Sequence, residues 1–325
     1  MNNLNINLNS KVKASSKKVY RRKILKENAD AYMLMLPTLI LFFALSIYPI
    51  AWSFKYCLYN YDGVSAPLFV GLQNFKDIFN FKEAIANPGG FYALYWLSWG
   101  RTLLYVLIKT SIEMPLAFFC AYIIYKKVRG AAFFKTLFYL PQILPGMILS
   151  LVFLIMLNPT NGALNHFMSQ LGLIQKNYSF FATKGSAFMT GILVDVWFTF
   201  GLNMLLFIAG FANVSKEILE SADIDGANEF KKTLFVTLPM MGRIVQIIVM
   251  LSIIGSLKAI GSYFILTQGG PNHGTELTFL YIYNIFFSAN AGKYGYGAAV
   301  AIVSAVIIGI ITFVYNKITS KFLYE

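Results

Sequence analysis

The acidic side chains of this sequence are concentrated in one short segment. Five of its 14 Asp and Glu residues lie between Glu217 and Glu229, in a chain of 325 residues with a formal net charge of +13. Grouped carboxylates can form charge-assisted hydrogen bonds with Lys or Arg of another protein. Asp225-Gly226 separates two short helical patterns here, because glycine readily takes a positive φ. Two interpretations stay open: a docking element for another chain, and a cytoplasmic hairpin packed on its own protein.

Residues that usually carry catalysis or metal binding are scarce. The two histidines, His166 and His273, and the two cysteines, Cys57 and Cys120, lack the spacing of a metal site or a disulfide framework. The sequence also lacks the G-x-x-x-x-G-K-[ST] loop of P-loop NTPases. We therefore expect no enzyme activity, no metal site and no cofactor bound by this chain. Energy for uphill movement would enter through a partner or an ion gradient.

Polar residues share one face of an apolar run near residue 255. Ser252, Gly255, Ser256 and Ala259 follow the i, i+3, i+4, i+7 spacing of a helix face. Such a face can admit a polar solute. It can equally admit a neighbouring helix, because small residues let membrane helices approach closely.

Another apolar run carries a carboxylate, Asp195. Its neighbours are Trp197, Phe198 and Thr199. Charged side chains at membrane depth are costly and mark functional sites. Asp195 is therefore a candidate acceptor for solute hydroxyl groups, and its alternative role is that of a counter-ion to Lys258 or Lys109. Lys109 itself lies four residues before Glu113, which favours an internally neutralised pair.

Composition indicates the elements that hold these residues. The chain is 57% hydrophobic and 13% charged, which is typical of an integral membrane protein. Runs long enough to cross ~30 Å of hydrocarbon as helices predict an all-α fold with six transmembrane helices. These lie near 31–54, 103–125, 134–157, 187–211, 244–266 and 298–314. The segment 275–296 is too short and interrupted to span, and is predicted as an interfacial helix with its aromatic rings at headgroup level.

The distribution of Lys and Arg predicts the orientation. Loops on the side of the termini hold 18 of these residues and the opposite loops hold 5. Basic loops resist translocation, so both termini and the acidic segment are predicted to be cytoplasmic. The net charge follows mostly from this asymmetry and from a basic N-terminal arm near lipid headgroups. No nucleic-acid partner is expected.

The stretch ESADIDGANEFKKTLFVTLP, residues 220–239, resembles the signature (EAA) loop of ATP-binding-cassette (ABC) importer permeases. That loop runs Glu-Ala-Ala, then Asp-Gly-Ala, then a hydrophobic residue and Pro. The matching residues are Glu220, Ala222, Asp225, Gly226, Ala227, Leu238 and Pro239. Ser221 replaces the usual first alanine.

Other segments are similar to the carbohydrate branch of this family, the maltose-type and glycerol-phosphate-type permeases. They are AYMLMLPTLILFFALSIYPI in the first span, FVGLQNF at 69–75, RGAAFFKTLFYLP at 129–141 and LTQGGP at 266–271. In maltose-type relatives the face that corresponds to the one holding Ser252 contacts substrate. Gln142 occupies a position where relatives place a substrate contact, with a different residue type. Lys258 occupies a place where the family often has lysine. At Asp195 relatives carry an uncharged polar residue.

The resemblance implies a type I ABC importer permease fold in a bacterial plasma membrane, with a cytoplasmic coupling-helix loop. Its implied partners are a second, different permease, two ATPase subunits that bind ATP and Mg, and an extracellular solute-binding protein. The implied cargo is a sugar or oligosaccharide. The loop would transmit ATPase closure to the fourth and fifth spans, with Gly226 permitting its bend. We expect Gly226→Asp to leave the chain in the membrane and to abolish coupling.

The predicted organisation has five parts. They are a cytoplasmic basic arm (1–30), a first transmembrane helix (31–57), an extracellular loop (58–98), a core permease domain with five transmembrane helices (99–320, with the ATPase-coupling loop at 212–239) and a cytoplasmic tail (321–325). The alternative function is an ion-coupled secondary transporter, in which the charges at 109, 113, 195 and 258 would carry protons or sodium. Such folds often show internal inverted repeats, and none is found in this sequence.

Overall fold

The computed structural model describes residues 32–87, 89–288 and 292–322. The predicted arm at 1–30 and the last residues of the predicted tail, 323–325, lie outside the described residues. The chain divides into two units, residues 1–57 and 58–325. In the first unit, α1 (Tyr32–Tyr56) is long and apolar enough to cross a membrane. A π-helical turn at Phe43–Ile47 interrupts its α-helical geometry.

The second unit begins with a small polar region. Strands β1 (Tyr59–Asn60) and β2 (Leu68–Phe69) pair antiparallel, with Tyr59 opposite Phe69. They are followed by α2 (Gln73–Ile78) and α3 (Phe81–Ala86). Helix α4 (Phe91–Tyr125) starts eight residues before 99, where the core domain was expected to start.

The predicted third span is broken. Helices α5 (Ala131–Ile143) and α6 (Gly146–Met156) meet at an angle of 98°. Leu144 between them is extended, with φ −77° and ψ 145°, because the ring of a following proline disfavours the helical conformation and Pro145 follows it. The break therefore has a local cause in the sequence.

The remaining helices complete the unit. They are α7 (Ala163–Gln170), α8 (Lys184–Ala212), α9 (Lys216–Ile224), α10 (Glu229–Lys231), α11 (Leu238–Met240), α12 (Gly242–Leu257), α13 (Gly261–Leu266), α14 (Thr278–Phe287) and α15 (Tyr294–Thr319). A capping box between Thr183 and Ser186 starts α8. Within the described ranges, five helices can span a membrane, or six if the bent pair counts as one span.

The core of this unit lies where α4 packs against α8, with α5 and α12 on their flanks. One buried cluster includes Ala117, Met204, Phe207 and Phe211. A second includes Tyr105, Ile192, Val196, Tyr263 and Leu280. The long helices α4 and α8 are therefore the frame on which polar residues are positioned.

Helix α14 differs from the interfacial helix predicted at 275–296. It packs on α4 and α15, and Thr278, Leu280, Tyr281 and Ile285 are buried. The hydroxyl of Thr102 on α4 lies 3.0 Å from that of Thr278 and accepts the Thr278 N–H at 2.9 Å. Part of its apolar surface is thus covered by protein rather than by lipid headgroups.

Candidate functional site

A central cavity of about 310 Å³ lies among α4, α5, α6, α8, α12 and α13. Eight of the ten residues predicted for a solute path line it: Gln142, Asp195, Phe198, Thr199, Ser252, Gly255, Ser256 and Ala259. Polar residues outside that prediction also line it: Tyr105, Lys109, Glu113, Asn203 and Ser262. The spacing on α8 and α12 thus identified one side of the cavity and missed the side that α4 contributes.

Trp197 and Lys258 are not among the residues that line the cavity. Trp197 lies two residues after Asp195, which turns its side chain to another face of α8. Its ring packs against Phe153 at 5.3 Å and is 43% exposed. Lys258 is exposed in the turn that follows α12.

Glu113 is the most heavily hydrogen-bonded carboxylate of the cavity. It accepts from Lys109 Nζ at 2.7 Å, Asn203 Nδ2 at 2.8 Å and Ser252 Oγ at 2.9 Å. The hydroxyl of Thr199 also donates to it. Both Glu113 and Lys109 are buried, so the predicted ion pair is present and neutralised inside the protein. These bonds join α4, α8 and α12 at one point.

Asp195 is held by hydroxyl groups rather than by a cation. Tyr105 Oη donates to it at 2.6 Å, and Ser262 Oγ also donates. Among the described residues it has no salt bridge, so neither Lys258 nor Lys109 is its direct ion-pair partner. A carboxylate has about four acceptor sites, and these two bonds leave capacity for further donors.

Two more polar atoms of the lining lack a partner. Gln142 Oε1 and Ser256 Oγ are buried and accept no hydrogen bond within the described part of the chain. A buried polar atom without a partner costs about 1–3 kcal/mol. Hydroxyl groups of a molecule in the cavity would satisfy both. Within the same residues, no group of three His, Cys, Asp or Glu side chains could hold a metal ion.

The acidic segment, residues 212–239, folds as two short helical pieces. Helix α9 ends at Ile224, Gly226 turns the chain with φ +75°, and α10 continues into a π-helical stretch at Lys232–Thr237. Asn228 caps α10 by accepting the Lys231 N–H at 2.9 Å. The sequence predicted the two helical patterns and the turn between them.

Lys232 joins the two pieces. Its buried side chain pairs with Asp223 of α9 and, at 3.0 Å, with Glu229 of α10. Lys126, just beyond α4, also pairs with Glu229, and Tyr122 donates to it at 3.1 Å. The hydrogen bond from Lys126 lowers the pKa of Glu229 to about 2, and the one to Asp223 raises the pKa of Lys232. The network is therefore charged at neutral pH.

Replacing Lys232 with Met should loosen the acidic segment. The variant loses two ion pairs with partly exposed carboxylates, a loss of about 1 kcal/mol. Amide hydrogen exchange across residues 216–232 should become roughly fivefold faster by this figure. Lys231→Met is the matched control, because Lys231 is exposed and forms no ion pair within the described residues. Equal exchange in both variants would contradict the bracing role of Lys232.

The acidic segment also presents an apolar surface. The exposed fractions of Ile224, Phe230 and Phe235 are 87%, 73% and 69%. Of the residues that matched the signature loop, Glu220, Asp225, Gly226 and Pro239 are exposed, Ala227 and Leu238 are partly buried, and Ala222 is buried. Large apolar side chains exposed beside charges are typical of a protein–protein contact.

The turn at Gly226 can be tested by substitution. No atom lies within 4 Å of a Cβ added there, but its positive φ disfavours L side chains. Gly226→Val should strain the turn by roughly 1–2 kcal/mol and reduce about tenfold any activity that depends on contacts of the acidic segment. The abundance of the protein in the membrane should stay normal. Gly226→Asn is the control, because Asn tolerates this conformation. Asp tolerates a positive φ similarly, so Gly226→Asp tests added charge more than backbone strain. Equal activity of the Val and Asn variants would exclude a role for the turn.

Comparison with known proteins identifies the family. The model of the family described as "Binding-protein-dependent transport system inner membrane component" matches residues 113–323. The chain belongs to this family. The match includes Glu113, α8, α12 and the whole acidic segment. The protein is therefore a transport permease, and the alternative of an ion-coupled secondary transporter is set aside.

Individual relatives extend the likeness over nearly the whole permease. The probable ABC transporter permease protein YesP of Bacillus subtilis (strain 168) is 32% identical and covers 93% of this chain and 94% of its own length. The multiple sugar-binding transport system permease protein MsmF of Streptococcus mutans is 30% identical and covers 93% of this chain and 98% of its own.

A solved structure shows the same fold. A bacterial ABC transporter involved in the import of the acidic polysaccharide alginate contains a chain with a TM-score of 0.75 and 19% identity to the permease. The likeness covers 92% of the permease and 98% of that chain. The permease therefore has the expected type I ABC importer fold.

Proposed function

We propose that this permease forms the translocation path of an ATP-driven importer for a sugar or oligosaccharide in a bacterial plasma membrane. Its proposed partners are a second homologous permease in a heterodimer, two ATPase subunits that carry ATP and Mg, and an extracellular solute-binding protein. Both termini are proposed to be cytoplasmic, on the side of the acidic segment. The relative MsmF is the permease protein of a multiple sugar-binding transport system, which supports the choice of a sugar.

The observation that carries this proposal is the chemistry of the central cavity. Its wall offers acceptors at Asp195, Gln142 and Ser256, while Phe198 supplies an apolar surface. A sugar is rich in hydroxyl donors and has apolar C–H faces, so it suits such a lining. We assign solute contact to these residues and to Gly255 and Ala259, which leave room on the α12 side. Thr199 and Ser252 act indirectly, because both donate to Glu113.

The acidic segment is proposed to dock on an ATPase subunit. Ile224, Phe230 and Phe235 would enter an apolar groove, and Glu220 would pair with a basic residue at its edge. A charge-assisted hydrogen bond of this kind contributes about 1.5–3 kcal/mol. Asp225, Gly226 and Ala227 set the turn, and Leu238 and Pro239 connect it to α12. Closure of the ATPases on ATP would then move α8, α12 and, through Lys126, α4.

The test is purification of the tagged chain from its native membrane in mild detergent, followed by mass spectrometry and by uptake assays in vesicles. We expect a second permease and an ATPase to co-purify, and uptake to require ATP. A chain that purifies alone and supports uptake driven by an ion gradient would overturn the proposal. Glu220→Gln should weaken ATPase retention, whereas Asp62→Asn, a change in the predicted extracellular loop, should leave it unchanged.

A further inference from the structure

The charged side chains around the central cavity do not cancel. Three of them line it: Lys109, Glu113 and Asp195. Lys109 and Glu113 are 2.7 Å apart and neutralise each other. Asp195 receives hydrogen bonds from the neutral hydroxyls of Tyr105 and Ser262. The lining formed by this chain therefore has a net charge of −1 when Asp195 is ionised.

The unpaired hydrogen-bonding atoms of the lining also favour a ligand that is not an anion. Gln142 Oε1 accepts but does not donate, and it has no partner among the described residues. The carboxylate of Asp195 also accepts only. The one cation among the described residues of the lining, Lys109, already has Glu113 as its anionic partner, and Thr199 and Asn203 also donate to Glu113. The hydroxyl of Ser256, which has no partner within the described ranges, is a neutral donor. An anionic ligand would therefore find the cation of this lining already paired with Glu113 and the carboxylate of Asp195 facing it.

We propose that the central cavity is a charge filter that passes uncharged sugars and rejects sugars that carry a carboxylate or a phosphate, with Asp195 as the residue that determines this selectivity. The inference rests on the proposed function and narrows its substrate class. The fold does not dictate the charge, since the solved transporter of the same fold imports an acidic polysaccharide. The filter is a property of the side chains of this permease.

The electrostatic effect of Asp195 in the cavity can be measured without knowing the sugar. Gly255 lines the cavity, and no atom lies within 4 Å of a Cβ added there, so Gly255→Cys places a thiol in the path. The purified importer is labelled with two methanethiosulfonates of similar size, one cationic (trimethylammonium-ethyl) and one anionic (sulfonatoethyl). Labelling of the native Cys57 and Cys120 is measured without Gly255→Cys and subtracted.

We expect the ratio of the cationic to the anionic labelling rate in the Gly255→Cys variant to exceed the same ratio for a free thiol in solution. One charge several ångströms away in a wet cavity should change that ratio roughly fivefold or more. Asp195→Asn should remove the preference, whereas Asp62→Asn, at an exposed loop carboxylate, should leave it intact. If the Gly255→Cys variant with Asp195 intact gave the same ratio as the free thiol, the inference would be overturned, whether or not the Asp195 variant folds.

Uptake assays separate this inference from the proposed function. Vesicles with the whole importer receive a panel of neutral oligosaccharides, each paired with a counterpart in which one primary alcohol is oxidised to a carboxylate. We expect ATP-dependent uptake of a neutral member and rejection of its acidic counterpart. Uptake of acidic members alone would overturn the charge filter and leave a sugar importer. A cation-preferring cavity without uptake of any sugar would retain the filter and overturn the sugar assignment.

Discussion

Replacing Glu113 with Leu is expected to prevent accumulation of the folded permease. The substitution removes the acceptor of four hydrogen bonds and leaves Lys109 buried without its partner. Removing one member of a buried ion pair costs about 3–5 kcal/mol, which is a large share of the stability of a typical protein. Folded yield and the thermal transition in detergent, followed by size-exclusion chromatography, measure the effect.

The double variant Lys109→Met, Glu113→Leu is the control for this result. It removes both charges together, and apolar replacement of a buried pair is often nearly neutral. We expect it to recover most of the folded yield that the single variant loses. Similar losses in the single and double variants would mean that the hydrogen bonds of Glu113, rather than the charge on Lys109, dominate the cost.

Truncation of Phe230 to Ala is expected to reduce ATP-driven uptake by about 30-fold while leaving the permease folded. A central aromatic anchor of a protein contact contributes about 2 kcal/mol or more. Phe230 is 73% exposed in this chain, so its truncation removes little packing within the permease. The measurements are uptake in vesicles, retention of the ATPase and abundance of the permease in the membrane.

Phe313→Ala provides a matched control. Phe313 lies in the last span, α15, and is 68% exposed, so the two variants remove the same group from surfaces of similar exposure. Only the Phe230 variant should lose uptake. Equal uptake in the two variants would show that the apolar surface of the acidic segment does not carry the contact.

The architecture was largely predictable because it depends on local properties. Hydrophobicity along the chain gave the positions of the apolar spans, and the signature loop gave the turn at Gly226. The break between α5 and α6 was missed, although Pro145 marks it, because a proline in a membrane helix can also be tolerated. The environment of α14 was missed as well, since hydrophobicity does not distinguish a lipid neighbour from a protein neighbour for Leu280 or Tyr281.

The cavity was only partly predictable, because its key contacts join distant parts of the chain. Helical spacing gave the pair of Lys109 and Glu113, but Asn203 and Ser252 lie 90 and 139 residues from Glu113. The partner of Asp195 on α4, Tyr105, is 90 residues away. Periodicity identifies which residues share a helix face and does not identify which faces meet. The ion pair of Lys126 with the acidic segment was not predicted for the same reason.

Helix α4 passes through all of these contacts. Its 35 residues would extend about 52 Å at 1.5 Å per residue, and Pro115 lies inside the helix. Lys126 ties one end to the acidic segment, Glu113 holds it nearer the middle, and Thr102 attaches it to α14 further along. Because a proline in a helix interior removes one backbone hydrogen bond, Pro115 is a point at which the part of α4 beyond Glu113 can bend relative to the rest. A displacement of the end held by Lys126 is then absorbed near the middle of the helix before it reaches the end held by Thr102.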